Sequence, residues 1–242
     1  MERFTPRPIG ELLQGVVPDA GLVEGLIPRV GLTLLSAFPK VGKTYFASHL
    51  AACVQGGEDF LGFTVPSAVP VLYLDRESNT TELVARTDIL KAEYSSASDV
   101  HYLRDAVDLV RDADRLTLCI REGGYGLVVI DTFSTCIVGL DEDDAGSMSK
   151  PLDALRRIAN GCDTAVLVLA HSQKSAGHLS IAGRTRGSSA ISAAANDILH
   201  LAEGRKTGEV KLEVKPRIAP GWSTILNRRP NGFWEHRLRE AA

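Results

Sequence analysis

The sequence predicts an α/β fold: a mostly parallel central sheet flanked by helices, followed by a C-terminal antiparallel β extension. Three observations carry that prediction. Apolar runs at residues 30–35, 69–74, 126–132 and 164–170 read as buried parallel strands, because a strand covered on both faces has no polar side. Apolar residues at helical spacing fill the stretches between them. Past residue 197 the pattern changes to short strands and tight turns, ending in a hairpin around Pro230-Asn231-Gly232.

Bulk composition sets the scale. A chain of 242 residues with 44% hydrophobic content suits one sizeable domain, read as residues 31–242 behind a lead-in segment at 1–30. A net charge of −3 excludes coating nucleic acid by bulk charge, so any such contact is local. Cys53, Cys119, Cys136 and Cys162 are too scattered for a Cys-x-x-Cys zinc or disulfide framework. No apolar run approaches the ~20 residues of a membrane span. Residues 1–8 carry no apolar signal-peptide core. A cytoplasmic protein is expected.

Within the lead-in, residues 9–13 read as a turn of helix and 22–27 as an extended segment against the core. The strand at 30–35 then runs into Ser36-Ala37-Phe38-Pro39-Lys40-Val41-Gly42-Lys43-Thr44, and a helix starts at Tyr45. Strand, tight loop, Gly-Lys-Thr and helix make the layout of a phosphate-binding P-loop. A polyphosphate needs converging backbone N–H groups, which a loop and a helix N-terminus supply. Gly42 allows close approach, Lys43 brings a point charge, and the Thr44 hydroxyl suits Mg²⁺. Ala37 stands where the usual pattern begins with Gly, at a modest geometric cost.

The strand at 69–74 ends in Asp75-Arg76-Glu77, at the sheet edge where ligands of open α/β sheets bind. Thr80 or Thr81 is read as the cap of a helix over 82–90. A short strand at 100–103 precedes an amphipathic helix over 105–122, with Ala106, Leu109, Leu116 and Ile120 inward. The run ending in Asp131 reads as a Walker B strand whose carboxylate nears the Mg²⁺. Asp141-Glu142-Asp143-Asp144 reads as an exposed loop, rather than a metal site, before a helix over 150–160. His171 follows the next strand at the same edge as Asp131 and Glu77, so a γ-phosphate contact is expected. Residues 175–184 read as a mobile loop, with local positive charge from Lys174, Arg184 and Arg186. Strands at 197–201, 210–214 and 223–226 follow, the second running into Lys215-Pro216-Arg217.

These motifs, in this order, resemble RecA-like P-loop ATPases, specifically the RepA-type AAA-domain group related to hexameric replicative helicases. The resemblance covers residues 8–228. It implies ATP and Mg²⁺ as cofactors, with Pro39, Lys40, Val41, Gly42, Lys43, Thr44, Tyr45 and Arg86 around the nucleotide and Thr44 and Asp131 at the metal. It implies catalytic roles for Lys43, Glu77, Asp131 and His171. Glu77 activates the attacking water, with Asp75 as its nearest competitor. His171 senses the γ-phosphate, although relatives often carry two consecutive His and the first is here Ala170. Lys215 and Arg217 resemble a Lys-x-Arg finger that reaches a neighbouring subunit's ATP. A homo-oligomeric, hexameric ring is therefore implied, with single-stranded DNA held by loops through Lys174, Arg184 and Arg186, and replication proteins as partners. Two functional readings stand: a DNA helicase or translocase-like motor, and an ATP-dependent switch that binds a protein partner without unwinding. A small-molecule kinase is a third, disfavoured by the terminal β-hairpin.

Overall fold

Strand β1 (Gly31–Ala37) pairs in parallel with β5 (Ala165–His171) on one side and β6 (Asp197–Glu203) on the other. The computed structural model describes residues 6–15, 20–142, 144–172 and 189–236. Beyond β5 come β4 (Leu127–Asp131), β2 (Val71–Asp75) and β3 (His101–Leu103), all parallel. Beyond β6 come β7 (Glu209–Lys215), β8 (Trp222–Arg228) and β9 (Trp234–His236), all antiparallel. The order is β3-β2-β4-β5-β1-β6-β7-β8-β9: a mostly parallel sheet with a C-terminal antiparallel extension, as the sequence predicts.

Alternation along the buried strands builds two cores. Leu35, Leu127 and Val129 pack on the face carrying Phe46 and Leu50 of α2 (Lys43–Gly56). Leu34, Val128 and Ile130 pack on the opposite face. That face carries Leu116 of α4 (Ala113–Gly123), Leu155 of α5 (Ala145–Gly161) and Ile191 of α6 (Ser189–Ala194). Ahead of β1, Leu22, Val23, Leu26 and Ile27 are buried in the first core, whereas Ile9 and Leu12 of α1 (Ile9–Leu12) are exposed.

Three local readings differ. Helix α3 (Thr80–Lys91) is capped by Asn79, not by Thr80 or Thr81: Asn79 accepts the Glu82 N–H while Glu82 accepts the Asn79 N–H. The helix expected over 105–122 begins only at Ala113. Asp108 Oδ1 accepts the Val110 and Arg111 N–H groups, and this local bonding competes with helix. Leu109 is still buried but Ala106 is exposed. Helix α5 starts earlier than expected because Asp144 accepts the Gly146 and Ser147 N–H groups, giving that acid a capping role.

Candidate functional site

The parallel strands deliver their carboxyl ends to one rim, where a cleft of about 660 Å³ opens. β1 leads into the loop that ends at Gly42, whose φ of 111° is left-handed and favours glycine. Gly42 is also crowded: a Cβ there would lie 2.9 Å from Trp234 Cζ2. The first N–H groups of α2 have no intrahelical acceptor and make this helix end a site for an anion. Pro39, Lys40, Thr44 and Tyr45 line the cleft. The Val41 side chain instead turns into the core.

Lys43 is buried and lines the cleft. Its Nζ donates to Ala37 O at 3.3 Å and to His171 Nδ1 at 3.1 Å. Burial lowers its pKa, opposed by the charges of Asp131 and Glu77. Because an ammonium only donates, His171 Nδ1 accepts and Nε2 carries the ring proton. That nitrogen lies 3.9 Å from Glu77 Oε1. Glu77 also accepts the Thr132 hydroxyl at 2.7 Å. Its carboxyl is held below the usual range first by the imidazole, with the Thr132 hydroxyl and Lys43 adding to it and burial opposing. The carboxylate is thus ionised and open to the cleft, as an acceptor of a water proton must be.

Two residues away, Asp75 has the opposite surroundings. It is fully buried; Oδ1 accepts the Glu77 and Ser78 N–H groups, and Oδ2 pairs with Arg86 at 3.0 Å. Both oxygens are occupied, so Asp75 shapes the turn that presents Glu77. Arg86 lines the cleft, but its guanidinium is engaged by Asp75 and by the Ser78 hydroxyl.

Asp131, at the end of β4, is buried behind the cleft. Tyr73 OH donates to Oδ2 at 2.8 Å, whereas Oδ1 is buried without a hydrogen-bond partner. Burial pushes the carboxyl up to about 6, against the Tyr73 and Thr44 hydroxyls. A buried carboxylate oxygen without a partner, beside the Thr44 hydroxyl, fits a hard divalent cation. No group of three or more His, Cys, Asp or Glu among the described residues could enclose an ion. A cation that takes one or two protein ligands and completes its shell with phosphate oxygens and water, as Mg²⁺ does, would be held here by Thr44 and Asp131.

Lys43, Thr44, Glu77, Arg86 and His171 therefore meet at one cleft, with Asp131 behind it. Lys215 and Arg217 do not line it; they lie at and just past the end of β7, where the Arg217 N–H donates to Asp197 Oδ1. Lys174, Arg184 and Arg186, with the loop expected at 175–184, lie outside the described residues. Sequence reading missed Thr132, Tyr73, Trp234 and Arg228. Thr132 had a signal in directly following Asp131; the others lie in strands or at a strand end and carry no local mark of the distant groups they meet.

Against known proteins, the family model described as an AAA domain matches residues 3–177. A solved structure described as an ATPase domain superposes with a TM-score of 0.67 at 16% identity, covering 87% of this chain and 86% of that one. A DnaB-like replicative helicase, in a structure titled for its interactions with primase, gives 0.68 at 16% identity and 87% coverage. The match spans only 58% of that longer chain. The RadB recombinase gives 0.60 at 17% identity, covering 89% of this chain and 94% of that one. A search of curated proteins finds no match. No helix among the described residues is long and apolar enough to cross a membrane.

Proposed function

The chain belongs to the AAA-domain family and is a P-loop NTPase, and on that premise we propose that it is a Mg²⁺-dependent ATP hydrolase working as an oligomeric, helicase- or translocase-like motor on DNA. The observation that carries this reading is the meeting of Lys43, Thr44, Glu77 and His171 at a single cleft, with the unsatisfied Asp131 oxygen behind it. Residues 31–242 form the ATPase unit; the 1–30 lead-in lends it the buried side chains of 22–27.

In this reading the α2 N-terminus and Lys43 hold the phosphates, and Thr44 and Asp131 hold the cation, which neutralises phosphate charge when bound. Glu77, fixed by Thr132 and His171, accepts a proton from the attacking water. His171 bonds both the phosphate-binding Lys43 and the neighbourhood of Glu77, so it can register the terminal phosphate. Lys215 and Arg217, outside their own cleft, serve a second copy's, and a finger in trans can be worth ~10³–10⁵ in rate. A ring, a hexamer, meets that need. Lys174, Arg184 and Arg186 bind single-stranded DNA in this reading, and replication proteins are partners; the DnaB-like structure with primase supports the partner reading by analogy of fold. The protein works in the cytoplasm.

The test is particle mass with and without a non-hydrolysable ATP analogue, beside ATPase and strand-displacement assays with and without single-stranded DNA. A nucleotide-dependent ring with DNA-stimulated hydrolysis is expected. Hydrolysis indifferent to DNA and without unwinding would instead favour a switch that binds a protein partner.

A further inference from the structure

We infer that Arg228 is a nucleotide-binding residue of the same subunit, whose guanidinium takes a non-terminal phosphate of the nucleotide in the P-loop cleft. This rests on the nucleotide reading above and adds a residue to it from the antiparallel half of the sheet. Arg228 ends β8, is exposed, and lines the P-loop cleft. Its guanidinium carbon lies 5.3 Å from the Trp234 ring centroid, and Nε donates to Gly232 O at 3.4 Å. Trp234 is itself immobilised: it is buried, and its ring edge lies against Gly42 of the P-loop. The guanidinium is therefore held by an element that touches the phosphate loop directly. No acidic side chain among the described residues pairs with it, so its two terminal amino groups keep their donors for a ligand.

Position selects the phosphate. Arg228 and Lys40 line the P-loop cleft and also a neighbouring one of about 560 Å³ that runs along the β6–β7 turn. Lys43, Glu77, Thr132 and His171 line only the first. Arg228 thus stands on the Lys40 side, away from the groups that gather where a terminal phosphate would react. A planar fork of N–H donors suits a phosphate edge, and the stack on Trp234 leaves that edge free.

The test is calorimetric binding of Mg-ADP and of a Mg-bound ATP analogue to the full chain, compared with R228A and R228K. R228A should weaken both nucleotides about tenfold, and R228K should recover only part, because it restores the charge but not the fork. In a W222F background, Trp234 emission should change on adding ADP, and R228A should abolish that change. Should R228A fail to fold, R228Q takes its place. ADP affinity of R228A or R228Q within twofold of wild type overturns the assignment alone. Absence of nucleotide binding by the wild type overturns the P-loop reading together with it.

Discussion

The two halves of the sheet do different work around one cleft. The parallel half, β3-β2-β4-β5-β1-β6, presents strand ends, so residues such as Glu77, Thr132 and His171 reach the rim from neighbouring strands within hydrogen-bonding or charge range of each other. The antiparallel half, β7-β8-β9, presents faces and turns. Its hairpin returns onto α2: Phe233 meets Tyr45 edge-on at 5.1 Å, and Trp234 covers Gly42. The groups that meet Glu77 come from strand ends, and the packing against the P-loop comes from strand faces. A parallel strand must stop at the rim, whereas a hairpin can lie along the phosphate loop and brace it.

Substitutions can break this division, and the largest effect is expected from the antiparallel half acting on another subunit. Replacing Lys215 and Arg217 with Ala should lower kcat about 10³-fold or more, while ADP affinity, measured by calorimetry, stays as in the wild type. Loss of ADP binding would mean that the pair acts within its own subunit.

Next comes the brace. Trp234→Ala empties a fully buried site and should cost about 3–5 kcal/mol of unfolding free energy in urea titration. If bracing is the role of this half, Trp234→Ala should also bind nucleotide more weakly, so the loss should grow when nucleotide is present at a concentration that saturates the wild type.

The smallest effect separates function from stability in the parallel half. The Asp131 carboxyl titrates at about 6 in the folded chain against 3.8 as the ordinary value. The folded state therefore binds more protons between those pH values, and an ionised Asp131 destabilises the nucleotide-free protein above them. Asp131→Asn should raise its stability by about 1–2 kcal/mol above pH 6, read as a higher Tm. The gain should disappear by about pH 4, where Asp131 is neutral in the folded state and becoming so in the unfolded one. Mg²⁺-dependent nucleotide binding should be lost at the same time.

Most of the parallel half was readable from the chain because its signals are local. A buried strand is a continuous apolar run, and Asp131 or His171 at its end is placed by the run itself. Helix starts were less readable: Asn79, Asp108 and Asp144 decide them through side-chain bonds to backbone that compete with periodicity. The choice between Asp75 and Glu77 was open in the sequence, since both follow the same strand. It turns on a salt bridge with Arg86, eleven residues on. Trp234 was unreadable as a site residue because its partner, Gly42, lies almost the whole chain away, and Arg228 because it reaches the cleft only by stacking on Trp234.

Glu77 is proposed as a reacting carboxylate and not as part of the scaffold. The direct measurement is single-turnover ATP hydrolysis by Glu77→Gln, with nucleotide affinity measured on the same preparation. We expect hydrolysis to fall about 10²–10⁴-fold, with Mg-ATP affinity within a few-fold of wild type. Hydrolysis at the wild-type rate, or loss of binding together with folding, would contradict that claim.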